Sequence, residues 1–238
     1  MLPRLRQAVA DFSMLLTKGY AAKSTLKLVG DRFSLTQRQR LAVMRSACSD
    51  QQWQRRREHQ IPLESLPGRA LAIDGYNLLI TVEAALSGAL IFRGRDGCFR
   101  DLASIHGTYR KVEETVPAIE LIGDFLKETG ITRALWLFDS PVSNSGRLKT
   151  LLADLARARS WPWEVRLTIS PDAELSSPLT VPSSHLPANC EPTTANRQPP
   201  AIVVSTDSVI LDACGAWTNL AAEIITRRLT STTMIDLA

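Results

Sequence analysis

From residue 69 onward, short uninterrupted apolar runs alternate with longer stretches in which apolar residues return every three or four positions. "RALAI" ends at Asp74, "RALWLF" at Asp139 and "AIVVST" at Asp207, and "WEVRLTI" is a fourth run of the same kind. Runs so short and so apolar predict strands buried on both faces, as in a parallel sheet. Between them, "ETVPAIELIGDFLKETG" predicts a helix stopped by Gly130. "GRLKTLLADLARARS" predicts another, with Leu148, Leu151, Leu152 and Leu155 on one face, and "WTNLAAEIITRRL" a short strand and a last helix. This alternation implies α/β architecture, a mainly parallel sheet covered by helices on both faces.

Residues 3 to 58 carry no such strand pattern and predict helices broken at "KGY" and "GDRFSLT". Ser24 and Thr36 are placed to cap successive helices, and Leu26, Val29, Phe33, Leu41, Met44 and Cys48 have mostly helical spacing. Helix, turn, helix is the outline of a groove-reading module and equally of a plain bundle. Two prolines in "QIPLESLPG" predict a linker over 61–69, between a basic helical domain at 1–60 and an α/β domain at 70–238. Within the latter, residues 175–200 hold six prolines and hardly any charge. That stretch predicts a disordered or surface insertion, in which His185 and Cys190 are incidental.

Composition adds limits. With 238 residues and 45% apolar content the chain can build a sizeable core. No run approaches the roughly 18 uncharged apolar residues of a membrane span, and "MLPRLRQAVADF" carries charge inside its apolar stretch, so a cytoplasmic location without a membrane partner is expected. The four cysteines are too dispersed for a zinc knuckle or a disulfide framework. His59, His106 and His185 are too scattered for a metal-free acid–base pair. Residues 1–60 hold 12 Lys and Arg against 4 Asp and Glu, the remainder 16 against 20. A basic head on a mildly acidic body fits a nucleic-acid-facing module joined to a metal-using one, with Arg38 and Arg40 as candidate phosphate contacts; solvated basic helices would look the same. A homodimer is left open.

In an open parallel sheet the loops at the carboxyl ends of the strands converge on one crevice. Asp74, Asp139 and Asp207 each hold that position. A lone Asp there is usually a helix cap or turn residue. Three together repel one another unless they share protons or bind a divalent cation, and Mg²⁺ or Mn²⁺ is the economical occupant. Asn77 would fix a bound water or orient Asp74, and Gly75 would allow a sharp turn and a close substrate. Asp212, Asp172 and Asp101 are candidate additional acids. After Asp139, "DSPVSNSGR" places Ser140, Ser143 and Ser145 before a helix N-terminus, as a phosphate contact or as an N-cap loop. "RGRDGCFRDLASIHGTYRK" holds Arg100, His106, Tyr109 and Arg110 around an Asp-Gly turn, for nucleic-acid contact or as a plain hairpin and helix.

These residues carry a resemblance. "IDGYNLL", "LFDSPVSNSG" and "VVSTDSVILD" resemble the PIN-like nuclease superfamily in its NYN-type branch, where Asp-Gly-Tyr-Asn follows the first strand. The whole arrangement also resembles a prokaryotic two-domain family of unknown function, with a small basic helical head containing "LVGDRFSLTQRQR". The resemblance implies a Rossmann-like three-layer α/β/α fold and a divalent-metal-dependent endoribonuclease. It makes Asp74 the primary metal ligand, Asn77 its neighbour, Asp139 the second carboxylate and Asp207 the acid after a later strand. The further acid such domains use falls to Asp172, Glu174, Asp212 or Asp101. A PIN-like protein that binds RNA, or joins a ribonucleoprotein, without cutting is the alternative. A nucleotide-cofactor enzyme lacks its P-loop here, and Asp74 followed by Tyr76 lacks the D-x-D pair of haloacid-dehalogenase-like phosphatases.

Overall fold

In the computed structural model, which describes residues 1–103, 109–179 and 199–238, the apolar runs form one five-stranded sheet. Its strands are β1 (Ala70–Asp74), β4 (Arg133–Asp139), β5 (Trp163–Thr168), β6 (Ile202–Val204) and β7 (Trp217–Thr218), in the order β5-β4-β1-β6-β7. Every pairing in it is parallel. Alternation sorts the side chains: Leu71, Ile73, Ala134, Trp136 and Phe138 face one core, Ala72, Leu135, Leu137 and Val203 the other. The first core is closed by α5 (Gly75–Leu86), α6 (Thr115–Glu128), α7 (Ser145–Arg159) and α10 (Leu220–Arg228). The second is closed by the shorter α8 (Pro171–Leu175) and α9 (Ser208–Ala213). Strand order runs outward from β1 through β4 and β5, then resumes on its other side with β6 and β7, so the chain reverses direction at β1. The crevice expected at such a reversal opens at the carboxyl ends of β1 and β6.

A second sheet was not foreseen. β2 (Ile91–Arg93) pairs antiparallel with β3 (Phe99–Arg100) and parallel with β8 (Met234–Asp236). Strands of two or three residues leave too little periodicity to read. This sheet joins the two parts of the molecule, because Phe92 and Leu237 close the core of the N-terminal helices.

Those helices are α1 (Leu2–Thr17), α2 (Ala22–Arg32), α3 (Gln37–Ser46) and α4 (Asp50–His59). Thr36 opens α3 with a capping box to Gln39, as its position predicts, whereas Ser24 lies inside α2 rather than at its start. α3 turns Ala42 and Val43 into the core, leaving Leu41 half-buried and Met44 44% exposed. Much of the basic charge is used internally. Arg40 braces the α2–α3 turn through the carbonyls of Leu35 and Lys27 and the carboxylate of Asp31. Arg55 donates to the carbonyls of Asp212, Ala213 and Cys214, closing the C-terminal end of α9.

The predicted linker is packed rather than loose: the Ile61 N–H donates to the Trp217 carbonyl at 2.7 Å and Leu66 is fully buried. Cys48, Cys98 and Cys214 are free and buried, and burial raises all three thiols, to about 11 at Cys48 and Cys214. Among the described residues no helix is long and apolar enough to cross a membrane. His106, His185, Cys190 and most of the proline-rich stretch lie outside the described residues.

Candidate functional site

Asp74 ends β1 and caps α5. Its Oδ1 accepts the Asn77 N–H at 3.4 Å and its Oδ2 the Ser205 hydroxyl at 2.8 Å. Asn77, in the first turn of α5, accepts through Oδ1 both the N–H (2.9 Å) and the hydroxyl (3.0 Å) of Thr206. Its Nδ2 has no protein partner among the described residues. Asp207 caps α9, accepting from Val209 (2.7 Å) and Ile210 (3.4 Å) through one oxygen. The capping role usual for a lone Asp is therefore present at both ends of the crevice, and it occupies one oxygen of each carboxylate. Ser205 and Thr206 escaped the sequence reading, which took them as the end of a strand. The available signal was a pair of hydroxyl residues immediately before Asp207.

The electrostatics distinguish these acids. Burial pushes Asp74 up to about 7, against the Ser205 hydrogen bond, with Asp207 and Asp172 pushing the same way. Burial also raises Asp139, helped by Asp172, and Asp172, helped by Asp207. Asp207 and Asp172 thus repel Asp74, and Asp172 repels Asp139, across the ends of β1, β4, β5 and β6. Among the described residues, however, no three His, Cys, Asp or Glu side chains stand together as a ready-made metal cage. A cleft of about 680 Å³ opens over three of these carboxylates, Asp74, Asp172 and Asp207, while Asp139 is not part of its lining. Asp74, Asn77, Asp172 and Asp207 belong to one side of it, and Phe12, Leu16, Leu41 and Met44 of the N-terminal helices to the other. Tyr76 also borders it; its hydroxyl is buried without a partner among the described residues, and burial and Asp139 push the phenol up to about 12.

Other candidates fall elsewhere. Asp101 lines the cleft but is held by Thr81 (3.0 Å), the Ala103 N–H (2.6 Å) and Arg45 (3.6 Å). Asp212 is paired with Arg56 and bonded by Gln52, so it docks α4 and is not a further acid of the site. Glu174 is engaged by Thr168 and Arg166. Arg100, expected on a nucleic-acid surface, is 6% exposed and bound to Asp96 and to the Thr206 carbonyl. Tyr109, expected to stack on a base, is buried with its hydroxyl on Glu83 and Thr115. Arg110 is exposed, as is Arg38 on α3, whereas Arg40 is the internal brace described above. Ser140 and Ser143 are exposed in the loop after β4, and Ser145 is buried with its hydroxyl on the Ser140 carbonyl.

Gly75 is required for a reason other than a turn. Its φ is ordinary, but an added Cβ would lie 2.4 Å from the ring of Phe138, which is fully buried. Gly75→Ala should therefore cost about 1–3 kcal/mol in a urea melt, since the ring must move and neither it nor the helix start has room. An unchanged midpoint would show that the core yields there.

Residues 63–223, which contain β1 to β7 and the carboxylates Asp74, Asp139, Asp172 and Asp207, match the family model described as a domain of unknown function, DUF5616. The chain belongs to the DUF5616 family. Ahead of the DUF5616 segment, residues 4–59 match a second model, the protein of unknown function DUF434, so the two-unit layout read from the sequence coincides with two family matches. A curated relative, uncharacterized protein MJ0935 of Methanocaldococcus jannaschii, is 30% identical over 180 residues, 76% of this chain and 86% of that protein. No solved structure matches. Neither DUF5616 nor DUF434 carries a PIN-like description, so the likeness of Asp-Gly-Tyr-Asn to that superfamily remains one of residues.

Proposed function

We propose that this DUF5616 protein is a divalent-metal-dependent endoribonuclease on a PIN-like, Rossmann-like α/β/α body. The observation that carries the reading is the gathering of carboxylates at one sheet edge, where Asp74 is pushed up to about 7, Asp139 and Asp172 are raised with it, and no cation among the described residues is bonded to Asp74. Such a cluster costs stability when ionised, and a bound cation would remove that cost. The donor set is carboxylate, amide and hydroxyl oxygen, which suits Mg²⁺ or Mn²⁺ and not a thiolate-seeking metal. Mg²⁺ is commonly held by one or two carboxylates with water and substrate phosphate, so a closed cage is not required.

Asp74 and Asp207, which line the cleft beside Asn77, would hold the ion directly, and Asp139 would act on it through bound water. When bound, the ion would polarise a phosphoryl oxygen and acidify water. Asn77, fixed through Oδ1, would present Nδ2 to the phosphoryl oxygen or to the attacking water. Asp172, exposed at the start of α8 with a raised pKa, would accept the proton that the water loses.

That no three His, Cys, Asp or Glu side chains stand together among the described residues favours one second reading, an RNA-binding protein without turnover. Incubation of a labelled mixed-sequence RNA, a matched single-stranded DNA and a small phosphodiester with Mn²⁺, Mg²⁺ or EDTA separates the two. The nuclease reading expects RNA cleavage in Mn²⁺ or Mg²⁺, none in EDTA, and a loss of about 100-fold or more in Asp139→Asn, as expected when a charged group of the reacting centre is removed. Salt-sensitive RNA binding with no cutting in any metal would instead favour the non-catalytic protein.

A further inference from the structure

We propose that Arg100, supported by Arg56, is a positioning residue for Asp74 and Asn77, so that docking of the N-terminal helices is wired into the acidic site. Its consequence for turnover rests on the nuclease reading; the wiring itself does not.

The wiring begins at Asp96, in the turn between β2 and β3, whose side chain is 2% exposed. It accepts Arg56 Nη1 at 2.5 Å, Arg100 Nη1 and Nη2 at 2.8 and 2.7 Å, and the Cys98 N–H at 3.1 Å. Arg56 comes from α4, and its Nε binds Asp212 at 2.8 Å. With two nitrogens committed to Asp96, Arg100 donates its Nε to the Thr206 carbonyl at 2.8 Å. Thr206 in turn gives its N–H and its hydroxyl to Asn77, while the adjacent Ser205 hydroxyl goes to Asp74. Thr206 is therefore gripped from one side by the charge network and grips the site from the other.

Only a planar guanidinium can hold a carboxylate in a fork and keep a third donor for a carbonyl. The bond is buried, so water does not replace it when it is lost. A network serving only to fasten helices to the sheet would need Arg56, Asp96 and Asp212, but not the bond from Arg100 to Thr206. Groups that orient ligands in this way typically change metal affinity by about 10–100-fold.

The test uses the full chain carrying Arg100→Lys, which keeps a cation opposite Asp96 and loses the fork, with amide hydrogen exchange and Mn²⁺ titration as readouts. The expected result is selective: the Thr206 amide exchanges about 10-fold faster or more while Ile73 and Trp136 keep their protection, Mn²⁺ binds about 10-fold more weakly, and kcat falls with KM little changed. Unchanged Thr206 exchange, or an equal loss of protection across β1 and β4, overturns the proposal and leaves Arg100 a structural group. If Arg100→Lys does not fold, Thr206→Val removes only the hydroxyl link to Asn77 and should weaken Mn²⁺ binding in a folded chain; unchanged affinity counts against the proposal. A parent chain that binds no Mn²⁺ and cuts no RNA would sink the nuclease reading, while the exchange arm would still decide whether Arg100 orders Thr206.

Discussion

Asp74→Asn is expected to melt at a higher temperature than the parent chain at about pH 8, and to lose metal-dependent RNA cleavage altogether. The folded carboxyl titrates near 7, above its ordinary value of 3.8, because burial opposes its charge and Asp207 and Asp172 repel it. A group raised in this way contributes stability that is fully present below about pH 4 and is lost as pH rises through about 7. At ~1.4 kcal/mol per pH unit the gap corresponds to at most about 4 kcal/mol, and to less because the side chain keeps some access to the cleft. Asparagine removes the charge and keeps one oxygen to cap α5, while its Nδ2 can donate to the Ser205 oxygen in place of accepting from it. Mn²⁺ should raise the melting temperature of the parent chain at about pH 8 and leave the variant unmoved. A variant that melts lower, or that still responds to Mn²⁺, would show that ionised Asp74 is stabilised by the protein itself.

Asp96→Asn should do the opposite and destabilise the chain by roughly 3–5 kcal/mol, the cost of leaving buried charges without their partner. Burial alone would raise Asp96, but the Arg100 and Arg56 guanidiniums outweigh it and hold the carboxyl well below the usual range. A lowered group contributes stability present above its unfolded value and lost as pH falls through the folded one, so the contribution is complete at neutral pH. Urea melts at neutral pH check the loss; a change under about 1 kcal/mol would mean that desolvation and pairing nearly cancel. The two carboxylates illustrate a general distinction. Asp96 is buried with two cations and holds the fold together, whereas Asp74 is half-buried with none among the described residues and is where the proposed ion would bind.

The strands of the main sheet were legible because burial on both faces forces continuous apolar runs, and Asp74, Asp139 and Asp207 followed from where those runs stop. Thr36 and Gly130 were legible as local chemistry: one makes a capping box, and the other takes φ +68 just past α6. The buried charge network was not, because Arg56 meets Asp96 across 40 residues and Asp212 across 156. A run such as "QRRRE" looks like a solvated or nucleic-acid-facing surface until its partners are placed. Tyr109 misled for a similar reason: its hydroxyl suggests exposure, but Glu83 and Thr115 satisfy it inside the core. Gly75 was read as conformational freedom when the constraint is the Phe138 ring.

The most direct test is cleavage of one labelled RNA by the parent chain and by folded Asp74→Asn, side by side in Mn²⁺ and in EDTA. The account predicts products only from the parent chain and only in Mn²⁺. Equal cleavage by both proteins, or by the parent chain in EDTA, would contradict a metal site at Asp74, and no cleavage in either metal condition would contradict the nuclease itself.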